Sequence, residues 1–362
     1  MNTPEVYYII PVLSLVFAFI IINPLRKLAI KVGLVDNPNA RKVHKSPIPL
    51  VGGMAIVFSA GLALMFAPEF WDNLEKYNVL IIGSVVLLIM GVYDDRNDMR
   101  AILKLIVQII LAHFAFVSGI RLDSMFGIFG IYELPIAVQY LLTLVVIAGV
   151  INAFNLMDGI DGLAAGLAVV GLSAFTYVAF ITGNTYLAIL YLSLIGALIG
   201  FLRFNFSKKS KIFMGDAGSL VLGYILVVSG IMLMQSAYNS ENGTVTQAVV
   251  IGVLVLPVID SLRVYRRRIK TGYSPFRADK THFHHMVLFL GIPHKWASFL
   301  IVFFSLCIIV LSIVLSIVFG NLFSMTYTII ALLLVFVVFS SILGVNSDIN
   351  TWKEKIKKLE EL

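Results

Sequence analysis

The stretch "LLTLVVIAGVINAFNLMDGIDGLAAGLAVVGLSAFTYVAFI", residues 141–181, decides the fold of this chain. It consists of two apolar runs, each long enough to cross a bilayer as a helix, joined by the polar segment "NAFNLMDGIDG" at 152–162. Ionised groups at or near a bilayer are costly, so Asp158 and Asp161 at such a place indicate a function. The stretch therefore predicts a membrane protein with a polar site where helices end.

The composition extends this prediction to the whole chain. Of 362 residues, 59% are hydrophobic and 13% are charged, and the mean hydropathy is +0.96. These values exclude an ordinary soluble domain, so we predict an all-α polytopic membrane protein. Apolar runs of membrane-spanning length indicate about eleven transmembrane helices. They lie near residues 5–25, 50–67, 77–93, 101–118, 135–151, 162–182, 185–203, 217–235, 245–263, 297–319 and 322–344.

Lysine and arginine are concentrated in every second connection. The basic connections cover residues 26–45, 96–100, 203–211, 263–295 and 353–358, whereas the intervening ones hold Lys76 and Arg121. The positive-inside rule then predicts an N-out, C-in protein of the plasma (inner) membrane, with its net charge of +7 on the cytoplasmic face. We expect one transmembrane catalytic domain, 1–345, a cytoplasmic tail, 346–362, and no nucleic-acid partner. Glycine spacing in "RLDSMFGIFGIYELP", 121–135, predicts a small outer hairpin.

Aspartates recur in three motifs on the predicted cytoplasmic face. Asp94 and Asp95 lie in "YDDRNDMR", Asp158 and Asp161 in "NLMDGIDG", and Asp216 in "FMGDAGSL". Each motif alone is compatible with a helix cap or a turn, but three on one face favour a catalytic site. If the carboxylates converge, their repulsion requires a cation, and an all-oxygen set favours Mg²⁺ or Mn²⁺.

Polar residues in the second motif have a regular spacing. Asn152, Asn155, Asp158 and Asp161 recur at every third residue. On an α-helix such a row drifts by about 60° per step, because each residue turns by about 100°. We expect their side chains to line one broad side of a helical segment.

Two basic motifs accompany the acids: "RKVHKSPIPLVGG" at 41–53 and "RVYRRRIKTGYSPFRADKTHFHH" at 263–285. Arginines after a membrane helix also serve as topology anchors, so for Arg266 both interpretations stay open. Topology does not require histidine. His282, His284 and His285, among arginines and without a thiolate, fit a phosphate-binding loop better than a zinc site.

Taken together and in their order along the chain, the five motifs resemble the polyprenyl-phosphate N-acetylhexosamine-1-phosphate transferases over about residues 5–345, most closely the bacterial undecaprenyl-phosphate N-acetylglucosamine-1-phosphate transferases. The related phospho-N-acetylmuramoyl-pentapeptide transferases usually carry three consecutive histidines, where this chain has "HFHH" at 282–285. That departure favours a plain UDP-N-acetylhexosamine as the donor and leaves the pentapeptide transferase as the alternative.

The resemblance implies a Mg²⁺-dependent enzyme that passes N-acetylglucosamine-1-phosphate from its UDP-sugar to undecaprenyl phosphate, releases UMP and starts synthesis of a cell-envelope polysaccharide such as O-antigen or teichoic acid. The lipid bilayer and both substrates are the expected partners, and a homodimer is left open. With the motifs above, it gives this candidate site: catalytic Asp94, Asp95, Asp158, Asp161, His284 and His285; substrate-binding Lys45, Asn155, Arg266, Arg277 and His282; and metal-binding Asp95 and Asp216.

A cation-coupled membrane transporter is the alternative from another functional class, because intramembrane acids also mark ion pathways. Transporters place such groups near the midplane, within broken helices and structural repeats. The acids of this chain are predicted at helix ends on one side, and the sequence shows no repeat. The enzyme is therefore the favoured prediction.

Overall fold

The computed structural model describes residues 3–38, 46–125, 130–274, 281–319, 330 and 333–334. This part of the chain is built almost entirely of α-helices, which confirms the all-α class. The helices are α1 (Thr3–Val32), α2 (Gly52–Leu64), α3 (Pro68–Asp72), α4 (Leu74–Asn97), α5 (Ala101–Val117), α6 (Ile136–Asn155), α7 (Leu163–Ile181), α8 (Thr185–Asn205), α9 (Gly215–Ala237), α10 (Gly243–Lys270), α11 (Phe283–Phe289) and α12 (His294–Phe319). Two short strands, β1 (Val35–Asp36) and β2 (Ile48–Pro49), complete it.

Eight helices within the described ranges are long and apolar enough to cross a membrane: α1, α4, α6, α7, α8, α9, α10 and α12. Helices α2 and α5 are apolar but shorter, with 13 and 17 residues. The first ten predicted segments coincide with these ten helices. The eleventh, 322–344, lies almost wholly outside the described residues, as does the tail 346–362. A multi-pass helical protein is thus confirmed, whereas the count of eleven and the N-out orientation stay predictions.

Helix α9 is the centre of the bundle. It contacts α2, α4, α6, α7 and α10, and most of its side chains, including Tyr224 and Val227, are fully buried. A helix that is apolar on all sides lies either inside a protein core or against lipid, and the neighbours of α9 place it in the core. Outer helices instead expose apolar side chains, such as Ile110, Val145 and Ile317. Helix α9 therefore carries its first residues to a point where several other helices end.

The "PLVGG" segment is attached to the start of α9. Strands β1 and β2 pair antiparallel, with Val35 opposite Pro49. Leu50 then pairs with Phe213 in a parallel bridge. The Phe213 N–H donates to the Pro49 carbonyl at 2.9 Å, and the Gly52 N–H donates to the Phe213 carbonyl at 2.9 Å. These bonds hold the start of α2 against the "FMGD" segment.

The hairpin predicted between residues 121 and 135 is confirmed in the described residues at its base, whereas its outer location stays a prediction. Ser124 pairs antiparallel with Glu133, and the Leu134 N–H donates to the Asp123 carbonyl at 3.0 Å. Its tip, 126–129, lies outside the described ranges. This hairpin joins the end of α5 to the start of α6. The aspartate motifs lie at the other ends of these two helices.

Candidate active site

A cavity of about 450 Å³ lies where α4 and α6 end and where α5 and α9 begin. Its lining includes six carboxylates and two basic side chains: Asp36, Asp94, Asp95, Asp98, Asp158 and Asp216, with Arg96 and Lys104. Four of the five predicted aspartates therefore meet in one space. Carboxylates this close together repel one another, so the cavity requires either cations or protonation of some of them.

Lys104 joins two of these carboxylates. Its Nζ atom forms an ion pair with Asp94 and lies 2.8 Å from Oδ2 of Asp216. The other oxygen of Asp94 accepts a hydrogen bond from the Met99 N–H at 2.6 Å, and Asp94 is only 6% exposed. Lys104 was not among the residues predicted from the sequence. Its signal was a lone lysine in the first turn of an apolar helix that follows "YDDRNDMR".

Asp95 caps helix α9 from a different helix. Its Oδ1 atom accepts the Asp216 N–H at 2.8 Å, and Oδ2 accepts the Ala217 N–H at 3.4 Å. A carboxylate is stabilised there by the positive end of the helix dipole. Gly215 makes the approach feasible, because its φ is +72° and a Cβ at this position would lie 2.3 Å from Oδ2 of Asp95. Asp95 therefore positions Asp216.

Asn155 holds Asp216 from the other side. Its Nδ2 atom donates to Oδ1 of Asp216 at 3.1 Å and to Oγ of Ser219 at 2.8 Å. Asn152, one turn earlier, bonds Gln108 of α5 instead. Asn155 is thus close to the predicted site, as expected, and its amide group fixes the orientation of the Asp216 carboxylate.

Asp158 lies on the turn between α6 and α7 and faces the acidic cavity. Burial raises the pKa of Asp158 to about 8, and the negative charges of Asp216, Asp95 and Asp161 add to the effect. In the absence of a bound cation, this carboxyl group is therefore largely protonated at neutral pH.

Asp161 does not share that cavity, and here the expected helical row is wrong. Helix α6 ends at Asn155, so the polar row does not continue along one helix face. The next residues form a turn that closes at Gly162, whose φ is +77°. The turn directs Asp161 toward Lys211, with 2.5 Å between Oδ2 and Nζ, and into a second cavity.

His284 reaches the same turn from α11. A Cβ on Gly159 would lie 2.2 Å from Nε2 of His284, so the imidazole rests directly on "DGIDG". Burial lowers the pKa of His284 well below its usual value, and the neighbouring His285 acts in the same direction. His284 is therefore neutral at pH 7 and can offer a ring N–H, but not a positive charge. Neither of its ring nitrogens has a hydrogen-bond partner among the described residues.

Asp260 anchors the histidine segment. This fully buried side chain lies 2.8 Å from Nδ1 of His282, and its other oxygen accepts the Phe283 N–H at 3.0 Å and a bond from Arg263 at 2.7 Å. Arg263 also donates to the Thr281 carbonyl at 2.6 Å. His282 is consequently held by Asp260 through one nitrogen, and the predicted substrate contact could involve only Nε2. The signal that could have revealed Asp260 was an acid near the end of an apolar run, "VLPVIDSL".

The remaining predicted residues are placed less centrally. Arg266 is exposed on α10 and is not part of the lining of the acidic cavity. His285 contacts His284, with ring centroids 4.2 Å apart. Lys45 and Arg277 lie outside the described residues.

The donor set of the cavity suits a hard cation. No group of three histidine, cysteine or acidic side chains has metal-binding geometry within the described ranges. However, Lys104 already places one positive charge between Asp94 and Asp216, and the surrounding donors are oxygen atoms, which Mg²⁺ and Mn²⁺ prefer. The donor atoms are thus of the kind that a divalent ion prefers, but the described side chains do not form a metal-binding group.

Comparison with known proteins agrees with this geometry. Residues 77–234 match the family model described as glycosyl transferase family 4. The undecaprenyl-phosphate alpha-N-acetylglucosaminyl 1-phosphate transferase of Salmonella typhi is 33% identical over 79% of this chain and 77% of its own length. The chain belongs to glycosyl transferase family 4. The resemblance that the five sequence motifs predicted is thereby confirmed.

Two further curated relatives are similar to the chain to the same degree. The probable undecaprenyl-phosphate N-acetylglucosaminyl 1-phosphate transferase of Bacillus subtilis strain 168 is 32% identical over 80% of this chain and 79% of its own length. The enzyme of Escherichia coli K12 is 32% identical over 76% of this chain and 75% of its own length. The region that matches the family model contains most of α4, all of α5 to α8 and most of α9, and hence Asp94, Asp158 and Asp216.

Proposed function

We propose that this chain transfers N-acetylglucosamine-1-phosphate from UDP-N-acetylglucosamine to undecaprenyl phosphate and releases UMP. The observation that carries the proposal is the acidic cavity at the helix ends, in which Asp94 and Asp216 share Lys104. The curated relatives, which cover most of the chain, are transferases of this kind by name.

The position of the cavity suits two very different substrates. A polyprenyl phosphate has its phosphate at the membrane surface, and a nucleotide sugar arrives from water. A cavity at the ends of α4, α6 and α9 is accessible to both. We place this end of the bundle at the cytoplasmic side of the plasma membrane, because the basic connections of the sequence lie on the same side.

Charge neutralisation is the main chemical requirement, since both substrates are anions. Phosphoryl transfer depends largely on positioning and electrostatic stabilisation. Lys104 supplies one fixed positive charge to the cavity. We propose that Asp216, with Asp95 and Asp158 on the same cavity, holds Mg²⁺, for which Mn²⁺ could substitute. When bound, the ion would neutralise the diphosphate of the donor and make its phosphorus more electrophilic.

The step that we favour is a direct displacement. An oxygen of the lipid phosphate attacks the phosphorus that bears the sugar, and the bond from that phosphorus to the oxygen of UMP breaks. Because the second pKa of a phosphate monoester is about 6, much of the acceptor is already a dianion near pH 7. Both oxygens of Asp94 are engaged, one by Lys104 and one by the Met99 N–H, which disfavours Asp94 as a covalent nucleophile. Its role would be to fix Lys104.

Neutral His284 has a different role from a cationic histidine. Its contact with Gly159 places an imidazole next to the turn that carries Asp158. A ring N–H in this position can donate a hydrogen bond to a phosphate oxygen without adding charge. Asp260 keeps the preceding His282 in place through Nδ1.

Assay of the purified protein tests the proposal. Undecaprenyl phosphate, Mg²⁺ and a panel of UDP-sugars are supplied, and UMP release is measured with and without EDTA. We expect release with UDP-N-acetylglucosamine, none without the lipid and none in EDTA. A preference for UDP-N-acetylmuramoyl-pentapeptide would support the alternative transferase. Release of inorganic phosphate would indicate a phosphatase, and cation flux without UMP would indicate a transporter. The downstream polymer and a homodimer stay predictions.

A further inference from the structure

A second cavity, of about 380 Å³, lies beside the turn that ends the acidic one. It is formed by the segment after α8, by the turn before α7 and by the start of α12. We call it the basic cleft. Its lining consists of Asp161, Phe206, Ser207, Lys208, Lys211, Pro293, His294, Lys295 and Trp296. Asp158 and Asp161, three residues apart, thus belong to different cavities.

Among the charged side chains that line the basic cleft, lysines outnumber acids. Asp161, its one acidic lining residue among those described, is neutralised by Lys211 at 2.5 Å. Lys208 and Lys295 have no acidic side chain within ion-pair distance in the described part of the chain. The Lys295 ammonium lies 5.7 Å from the centroid of the Phe206 ring. Two uncompensated lysines in a concave site favour an anionic ligand.

An apolar face continues from the rim of this cleft along α12. Trp296, Phe299 and Phe303 are 63%, 58% and 52% exposed. Their spacing places them on one side of the helix. In a membrane protein, such a face contacts acyl chains, and tryptophan is typical of the level of the lipid head groups. A molecule in the basic cleft could therefore have its anionic group between the lysines and its chains along α12.

We propose that the basic cleft binds the phosphate head group of an anionic membrane phospholipid. Basic pockets between transmembrane helices are suited to such head groups, and each nearby lysine adds to the affinity. Free phosphate shares the charge but lacks the chains that the apolar face would contact. The cleft is also connected to the proposed active site, because Oγ of Ser298 on α12 donates to the Asp161 carbonyl at 2.6 Å. A lipid bound there would brace the "DGIDG" turn.

Native mass spectrometry of the delipidated, purified protein tests the proposal without any need for activity. Phosphatidylglycerol is titrated against phosphatidylcholine with wild type, with Lys208→Gln/Lys295→Gln, and with Lys27→Gln/Lys31→Gln. The last pair is a matched control, because both lysines are exposed on α1 at the same end of the bundle. We expect the first variant to bind phosphatidylglycerol about tenfold more weakly, and the control to bind as wild type does.

Equal weakening in both double variants would overturn the proposal, since it would indicate a diffuse charge effect. Displacement of the lipid by inorganic phosphate alone would overturn the assignment to a phospholipid, and so would displacement by polyprenyl phosphate at equal concentration. A second measurement locates the lipid. Brominated phosphatidylglycerol should quench the fluorescence of wild type more than that of Trp296→Phe, whereas unchanged quenching would contradict the site.

Discussion

Nζ of Lys104 lies 2.8 Å from Oδ2 of Asp216, and this ion pair joins the start of α5 to the start of α9. The same ammonium also pairs with Asp94 at the end of α4. Three helices that are separate in the sequence are therefore tied together by one charged atom. Both the order of the site and its charge balance depend on this lysine.

Lys104→Gln should retain the fold but lose most of the activity. Removal of a fixed cation from a phosphate-transfer site is expected to lower the turnover rate by about 10²-fold. The two unneutralised carboxylates should at the same time bind Mg²⁺ more tightly. UMP release and calorimetric titration with Mg²⁺ measure the two effects. Lys76→Gln, at the other end of α4, is the matched control and should behave as wild type. Full activity in Lys104→Gln would contradict the role given to this lysine.

Asp94→Asn distinguishes the two reaction schemes. A direct displacement forms no covalent intermediate, so neither wild type nor the variant should exchange labelled UMP into the UDP-sugar when the lipid acceptor is absent. The variant should still turn over about 10²-fold more slowly than wild type, because Lys104 loses a partner. Exchange by either protein without lipid would show that a covalent intermediate between the enzyme and the sugar phosphate forms first.

Gly215→Ala should damage the site through the backbone. The φ of +72° is strained for alanine, and the new Cβ would lie 2.3 Å from Oδ2 of Asp95. We expect the free energy of unfolding to fall by about 1–3 kcal/mol and the activity to fall with it, because Asp95 can no longer cap α9. Gly61→Ala, in α2 with open space around it, is the control. Equal stability of the two variants would argue against the cap.

Asp260→Asn tests the anchor of the histidine segment. The side chain keeps its size but leaves Arg263 without its buried counter-charge. Such a loss typically costs about 3–5 kcal/mol of unfolding free energy. Chemical denaturation in detergent gives the value, and Asp72→Asn, exposed in α3, is the control. If Asp260 also positions His282, the turnover of the folded fraction should fall. An unchanged turnover would limit Asp260 to stability.

The stability of the metal-free protein should depend on pH through Asp158. Its pKa is raised from 3.8 to about 8, so the folded state holds this proton more firmly than the unfolded state. The contribution of the protonated Asp158 to the free energy of unfolding is therefore fully present below pH 3.8, and it is lost as the pH rises toward 8. With EDTA present, Asp158→Asn should gain in melting temperature relative to wild type between pH 5 and pH 8. Parallel curves for the two proteins would contradict the shifted pKa.

The helices were largely predictable because their cause is local. A long apolar run partitions into the bilayer, where a helix satisfies all of its backbone hydrogen bonds. All ten described runs accordingly form helices close to the expected bounds. Differences occur where local signals compete. The first helix continues to Val32, beyond its apolar run. Helix α2 is shorter than its apolar run, because it begins at the glycine pair and ends at Leu64, before the turn that precedes Pro68.

The site was predictable in composition but not in geometry. The motifs correctly brought Asp94, Asp95, Asp158 and Asp216 to one cavity. Which way Asp161 faces depends on the end of α6 and on the turn that follows, neither of which the three-residue spacing determines. The partnership of Lys104 with Asp216 depends on how α5 is rotated against α9. Such rotations are set by packing between helices and are not visible in one segment alone.

The placement of α9 has a consequence for how this protein tolerates different bilayers. Since other helices enclose α9, lipid thickness acts on the outer helices first, where tilting can absorb a mismatch. The position of Asp216, at the start of α9, should therefore change little when the thickness of the bilayer changes. We expect transplantation between host membranes, or into nanodiscs of short- and long-chain lipids, to change insertion and yield more than the chemistry.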